Sequence, residues 1–210
     1  MGKKVITLIV SLLLICLITF GAGFLGSIDN PIIVYIAKFL VYYLIGAVAL
    51  VAIKLTKVEI GLDFRNWKSY LIGLVMAIAL SLFIAVIPAL FGSSIVGSHL
   101  DPTPDILILN FVFFVFAVGP IEELVFRVYV QETFISFFKT HKWIAVIIAA
   151  FLFGLWHLIN GSLLQVLFTF GIGMVFGFAK YFLKNCKFLG VATAHGLYDF
   201  LNIVVRVLFV

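Results

Sequence analysis

Six ionisable side chains fall where lipid-facing residues would otherwise stand: Glu122, Glu123, Arg127, His157, His195 and Asp199, all inside apolar runs of the chain's second half. An ionised residue at the centre of a membrane helix costs roughly 2.5–3.5 kcal/mol, so three carboxylates and a guanidinium left unpaired would cost on the order of 10 kcal/mol. Such groups must pair inside a bundle or work around water. Their spacing divides them. Glu123 and Arg127 stand four apart with the acid first, which places them on one helix face and predicts an internal ion pair. Glu122, one residue earlier, is rotated by about 100° and points elsewhere. Phe153 and His157 share one helix face; His195, Asp199 and Asn202 share another. One carboxylate and two imidazoles suit hydrolysis, in which a base takes a proton from water and donors hold the developing oxyanion. Glu with two His is also a ligand set for catalytic zinc; on that reading Glu122, His157, His195 and Asp199 are the ligands. The local His-Glu-x-x-His pattern of soluble zinc proteases is absent, so side chains from three separate helices have to converge. Intramembrane acids and imidazoles also build proton relays, which makes a proton-coupled small transporter the rival reading.

The ordered triplet Glu122-Glu123-x-x-x-Arg127, Phe153-x-x-x-His157 and His195-x-x-x-Asp199 resembles the three motifs of the CAAX protease and bacteriocin-processing (CPBP, or Abi) family of intramembrane proteases, which includes the type II CAAX prenyl endopeptidases. The motifs lie within residues 119–202, and the spans before them match only in hydropathy. The resemblance implies an endopeptidase that hydrolyses a peptide bond within or beside the membrane. In it Glu122 and His157 activate water, His195 and residue 199 stabilise the oxyanion, and Glu123, Arg127, Phe153 and Asn202 support them. It also implies a peptide or protein substrate with a membrane-embedded or lipidated end. The family is often labelled metalloprotease, although a glutamate-activated water fits the same residues; the cofactor is therefore open between none and a divalent ion such as zinc. A non-catalytic immunity protein that protects a cell from a bacteriocin is a further reading. The prenyl endopeptidases carry Asn where this chain has Asp199. Asn can donate to an oxyanion, whereas ionised Asp can only accept. Asp199 is therefore expected to orient and charge His195, leaving the imidazole to donate.

Positioning these groups requires a bundle of membrane helices. Of the 210 residues, 65% are apolar and 11% are Asp, Glu, Lys or Arg, against about 45–50% and about 25% in soluble domains. That composition excludes a soluble globular or disordered chain, and long continuous apolar runs exclude the short alternating strands of a membrane β-barrel. Runs near 5–25, 32–53, 70–91, 105–121, 143–159, 163–180 and 188–205 approach the ~20 residues that cross ~30 Å of hydrocarbon. They predict an all-α, polytopic bundle of about seven transmembrane helices, with 1–210 as a single integral membrane domain. Turn signals separate the runs at Asp29-Asn30-Pro31, Gly61, Asp101-Pro102-Thr103-Pro104 and Asn160-Gly161-Ser162. The first run exceeds the 7–15-residue core of a signal peptide and reads as a retained span. Pro120, after Gly119, is expected to kink the fourth element, leaving 121–138 as a helix of its own. Gly173 and Gly177 fit small-xxx-small helix packing.

Eleven of the 14 Lys and Arg fall at one end of these runs: Lys3 and Lys4; Lys54, Lys57, Arg65 and Lys68; Lys139 and Lys142; Lys180, Lys184 and Lys187. The opposite connections, 27–31, 92–104 and 160–162, contain none. The amino terminus is therefore expected in the cytoplasm, with membrane lipids as surroundings and a bacterial cell membrane as location. The basic residues lie between apolar runs rather than in a patch, so nucleic acid is not expected as a partner. Lys38, inside span two, reads as snorkelling toward the interface, the other reading being contact with a substrate or lipid headgroup. Counted from the lysines at ~1.5 Å per residue, His195 lies roughly 10 Å deep and His157 roughly 20 Å. If the two are to meet, span five should begin later than 143. Cys16 and Cys186 have neither metal-ligand spacing nor a disulfide pattern.

Overall fold

The computed structural model describes residues 2–93, 96–159 and 161–210; Asn160 of the last turn signal lies outside them. The described residues form helices and connections, with no strand among them. Among the described residues, seven helices are long and apolar enough to cross a membrane: α1 (Gly2–Ser27), α2 (Pro31–Thr56), α3 (Trp67–Leu90), α4 (Pro104–Phe137), α5 (Lys142–Ile159), α6 (Leu163–Phe182) and α7 (Phe188–Leu208). Their boundaries follow local chemistry. Asn30 opens α2 by accepting from the N–H groups of Ile32 and Ile33 at 3.0 and 3.2 Å, with Pro31 in the first turn where no N–H is needed. Ser162 opens α6 by accepting from the Gln165 N–H.

The fourth element differs from its expectation. α4 is helical without a break from Pro104 to Phe137, so 121–138 is not a separate helix. The turn before Pro120, Phe114–Val118, is π-helical, and a second π segment covers Leu124–Val130. Proline has no N–H to give, and the wider turn shifts the hydrogen-bond register just where that donor is missing. α4 is also the centre of the bundle. Every residue from Leu124 to Val130 is buried, packed with Leu8 and Ile15 of α1, Ile45 and Ala49 of α2, and Ala149 and Phe153 of α5. Large apolar side chains such as Leu17, Phe20 and Leu40 point outward, as a lipid-facing surface requires.

Contacts between helix ends place the basic connections together. Lys4 donates to Ser136, Lys180 pairs with Glu132, and the Lys187 N–H donates to the Ser69 hydroxyl at 3.0 Å. At the other end the Leu100 N–H donates to the Arg206 carbonyl, and Arg206 Nε donates to the Ser98 carbonyl at 2.8 Å. The start of α5 at Lys142 corrects the expectation that span five begins later. In the connection before α7, Leu183, Lys184 and Lys187 are exposed and Cys186 is turned into the bundle. Cys186 is fully buried there, burial pushes its thiol up to about 11, and Ser69 caps the entry to the helix. A thiol held so far above neutral pH is inert, in keeping with the absence of any cysteine motif.

Candidate active site

α4, α5 and α7 bring their acids and imidazoles to one place. Glu122 and Glu123 leave α4 between its two π segments, and both are buried. Glu123 Oε2 lies 3.1 Å from Arg127 Nε, both side chains shielded from solvent, so the four-residue spacing yields the ion pair it predicts. The guanidinium sits 4.4 Å from the centre of the Phe153 ring and 5.9 Å from that of Phe176, both within cation–π range. Glu123 does a second thing that spacing does not suggest. Its Oε1 accepts from His195 Nδ1 at 2.8 Å. The carboxylate that orients His195 through Nδ1 is thus Glu123 of α4, and not Asp199 one turn along α7. Phe153 completes the frame, edge-on to His157 at 4.7 Å and to His195 at 5.7 Å between ring centres.

Glu122 points the other way. Its Oε1 accepts from the Tyr42 hydroxyl at 2.9 Å. Its Oε2 is buried with no hydrogen-bond partner, and lies 3.6 Å from His195 Nε2 and 3.9 Å from His157 Nε2. His157 Nδ1 lies 2.9 Å from the Phe153 carbonyl. A carbonyl only accepts, so Nδ1 carries the proton and Nε2 of the neutral ring is an acceptor. Asp199 Oδ2 is 3.4 Å from His195 Nε2. Glu122 and Asp199 therefore face one edge of that imidazole while Glu123 holds the other. Asn202 lines the same cavity, its buried Oδ1 without a hydrogen-bond partner. Tyr42 is the participant that sequence reasoning misses. Its cue is slight, a hydroxyl on an apolar helix eighty residues before the acid it meets.

The cluster opens onto a cavity of about 540 Å³ lined by Glu122, His157, His195, Asp199 and Asn202. A second cavity of about 350 Å³ reaches Glu122 and His157 from the side of α1 and α2. At 3.9 Å, Glu122 Oε2 and His157 Nε2 are too far apart for a direct hydrogen bond and close enough to share one water. Such a water would give both protons to acceptors and keep its lone pairs for attack. No three His, Cys, Asp or Glu side chains among the described residues are arranged to hold a metal ion. The Nδ1–H bond to Glu123 leaves His195 Nε2 free, the arrangement usual in metal-ligating imidazoles. The donor set Glu122, His157, His195 and Asp199 suits a divalent ion in kind, but its side chains as they stand are not arranged to hold one.

Neither the curated proteins nor the solved structures contain a match to this chain. A family model does match, over the stretch that holds all the acids and imidazoles described above. Residues 104–201 fit the family described as Type II CAAX prenyl endopeptidase Rce1-like, a protease family, which bears out the resemblance carried by the three motifs.

Proposed function

We propose that this multi-pass membrane protein is an intramembrane endopeptidase in which Glu122 is the general base. The observation that carries the reading is the free, buried Oε2 of Glu122, set between two imidazole Nε2 atoms on a cavity wall. A water held by Glu122 and His157 loses a proton to Glu122 as its oxygen attacks the carbonyl carbon. The carbonyl electrons move to oxygen, and the oxyanion takes a hydrogen bond from His195 Nε2. The carbon–nitrogen bond then breaks, and the proton on Glu122 passes to the departing amine. Two acceptors face Nε2, which favours a hydrogen there, while Glu123 keeps the ring from turning. Asp199 cannot donate when ionised; beside Nε2 it helps hold the proton that His195 lends to the oxyanion. The substrate is a membrane-embedded or lipidated peptide or protein, and the lysine-bearing end of the bundle faces the cytoplasm of a bacterial cell.

Purified full-length protein assayed on a quenched-fluorescent library of lipidated and membrane-spanning peptides tests this. Wild type should cleave, and Glu122→Gln should lose about 10²–10⁴-fold in kcat with unchanged thermal unfolding. Dialysis against a strong chelator should leave the wild-type rate intact. Full activity of Glu122→Gln, or loss to the chelator restored by added zinc, would count against the mechanism. A carrier would instead lose transport in Glu122→Gln and cleave nothing.

Asp199→Asn supplies a separate prediction. The amide can donate to the oxyanion where the carboxylate cannot, so the variant should keep kcat within about tenfold of the parent. A folded Asp199→Asn protein without activity would mean that the negative charge itself is indispensable.

A further inference from the structure

The two cavities meet at the reacting carboxylate, since both are lined by Tyr42, Phe113, Phe114, Glu122, His157 and Gln165. Beyond that shared wall their chemistry differs. The first adds Asp199 and Asn202; with Glu122 it presents two carboxylates and no Lys or Arg. The second, walled by α1 and by Trp156, adds Lys38. Lys38 is half-buried, and its Nζ lies 5.4 Å from the centre of the Tyr35 ring. Among the described residues no carboxylate lies within ion-pair distance of it; the Lys and Arg ion pairs are those of Arg127 and Lys180. Lys38 and Tyr42 stand four apart and so share one face of α2 about one turn apart, and Tyr42 is bonded to Glu122. The ammonium thus sits roughly one to two turns from the site of attack. An extended peptide rises about 3.4 Å per residue, so a group two or three residues from the cleaved bond reaches it.

We propose that the second cavity receives the ligand segment on one side of the scissile bond, and that Lys38 is a specificity-determining residue there, pairing with a carboxylate or phosphate on that segment. The two cavities then give the bound chain a direction. An anion is repelled beside Glu122 and Asp199 and attracted beside Lys38, in surroundings where charge interactions are weakly screened. The placement of the scissile bond rests on Glu122 being the site of cleavage, but binding at Lys38 can be read without any cleavage.

The test uses full-length Glu122→Gln protein in neutral-lipid nanodiscs, with fluorescence anisotropy of a dansylated, palmitoylated tetrapeptide of neutral side chains. The free acid should bind about tenfold more tightly than the amide. That preference should persist in Lys38→Arg, vanish in Lys38→Met and reverse in Lys38→Glu. An unchanged Kd for the amide shows that each variant keeps its fold and cavity. Competing ligands separate the sources of the anion. Displacement of the acid by hexadecyl phosphate, lost in Lys38→Met, supports a subsite that takes lipid phosphate as well; displacement by peptide acids alone supports one for the peptide. Equal affinity for acid and amide in the parent, or a preference that survives Lys38→Met, overturns the proposal. Because no hydrolysis is measured, a failure of the protease reading would appear separately, as absence of cleavage by wild type.

Discussion

Glu123→Ala should destabilise the protein by about 3–5 kcal/mol, because it strands a buried guanidinium without its counter-ion. Arg127 is shielded from solvent and lies between Phe153 and Phe176, and Glu123 is its ion-pair partner. Adding Arg127→Met should restore part of that loss, since it removes the stranded charge. Activity should not return with the fold. In the double variant His195 Nδ1 has lost the carboxylate that holds it at 2.8 Å, so the imidazole can turn away from the oxyanion, and kcat should stay down by about 10²–10³-fold with KM little changed. Thermal unfolding followed by size-exclusion chromatography measures the first effect, and steady-state kinetics on the best library peptide the second. A double variant that is both folded and fully active would reduce Glu123 to a counter-ion and remove it from the positioning of His195. Glu123→Gln falls between these outcomes, as it keeps an acceptor for Nδ1 and removes the charge.

That prediction turns on a contact the motifs could not reveal. Periodicity along one helix tells which side chains share a face, and it placed Arg127 under Glu123 and Asp199 near His195. A carboxylate has two oxygens, however, and the second partner of Glu123 lies 72 residues away on α7. The same holds for Tyr42, whose hydroxyl meets Glu122 across 80 residues. The membrane helices were legible because each must supply about 20 apolar residues, and their ends were placed within a few residues. The fourth element was expected over 105–138 and spans Pro104–Phe137; its continuity through Pro120 was missed, because hydrogen-bond register is invisible in a hydropathy pattern. Its π segments flank the α-helical turn that carries Glu122 and Glu123, and the helix runs on past Pro120. Depth counting failed for a related reason. It assumes that every helix begins at the same level, and the meeting of His157 and His195 at Glu122, 15 residues into α5 and 7 into α7, shows that these two do not.

Gly119→Ala and Gly196→Ala should each cost about 1–3 kcal/mol through overpacking and lower kcat/KM by about 10²-fold through displacement of the reacting groups. A Cβ at Gly119 would stand 2.6 Å from the Ala192 carbonyl oxygen and 2.6 Å from the Gly196 nitrogen. A Cβ at Gly196 would stand 2.6 Å from the Phe114 carbonyl oxygen and 2.8 Å from Val115 Cα. Each obstacle is backbone, so no side-chain rotation relieves it and α4 must part from α7. Those are the helices that carry Glu122 and His195, whose facing atoms are 3.6 Å apart. A separation of about 1 Å would stretch both that contact and the Glu123–His195 hydrogen bond beyond use. Gly171→Ala is the control, for nothing lies within 4 Å of the added carbon, and alanine in a helix should gain about 0.5–1 kcal/mol over glycine. Thermal unfolding of the three variants, with kcat/KM on one peptide, decides the matter. If Gly119→Ala behaves like Gly171→Ala, the close approach of α4 and α7 is not what sets the distance between the base and the imidazole.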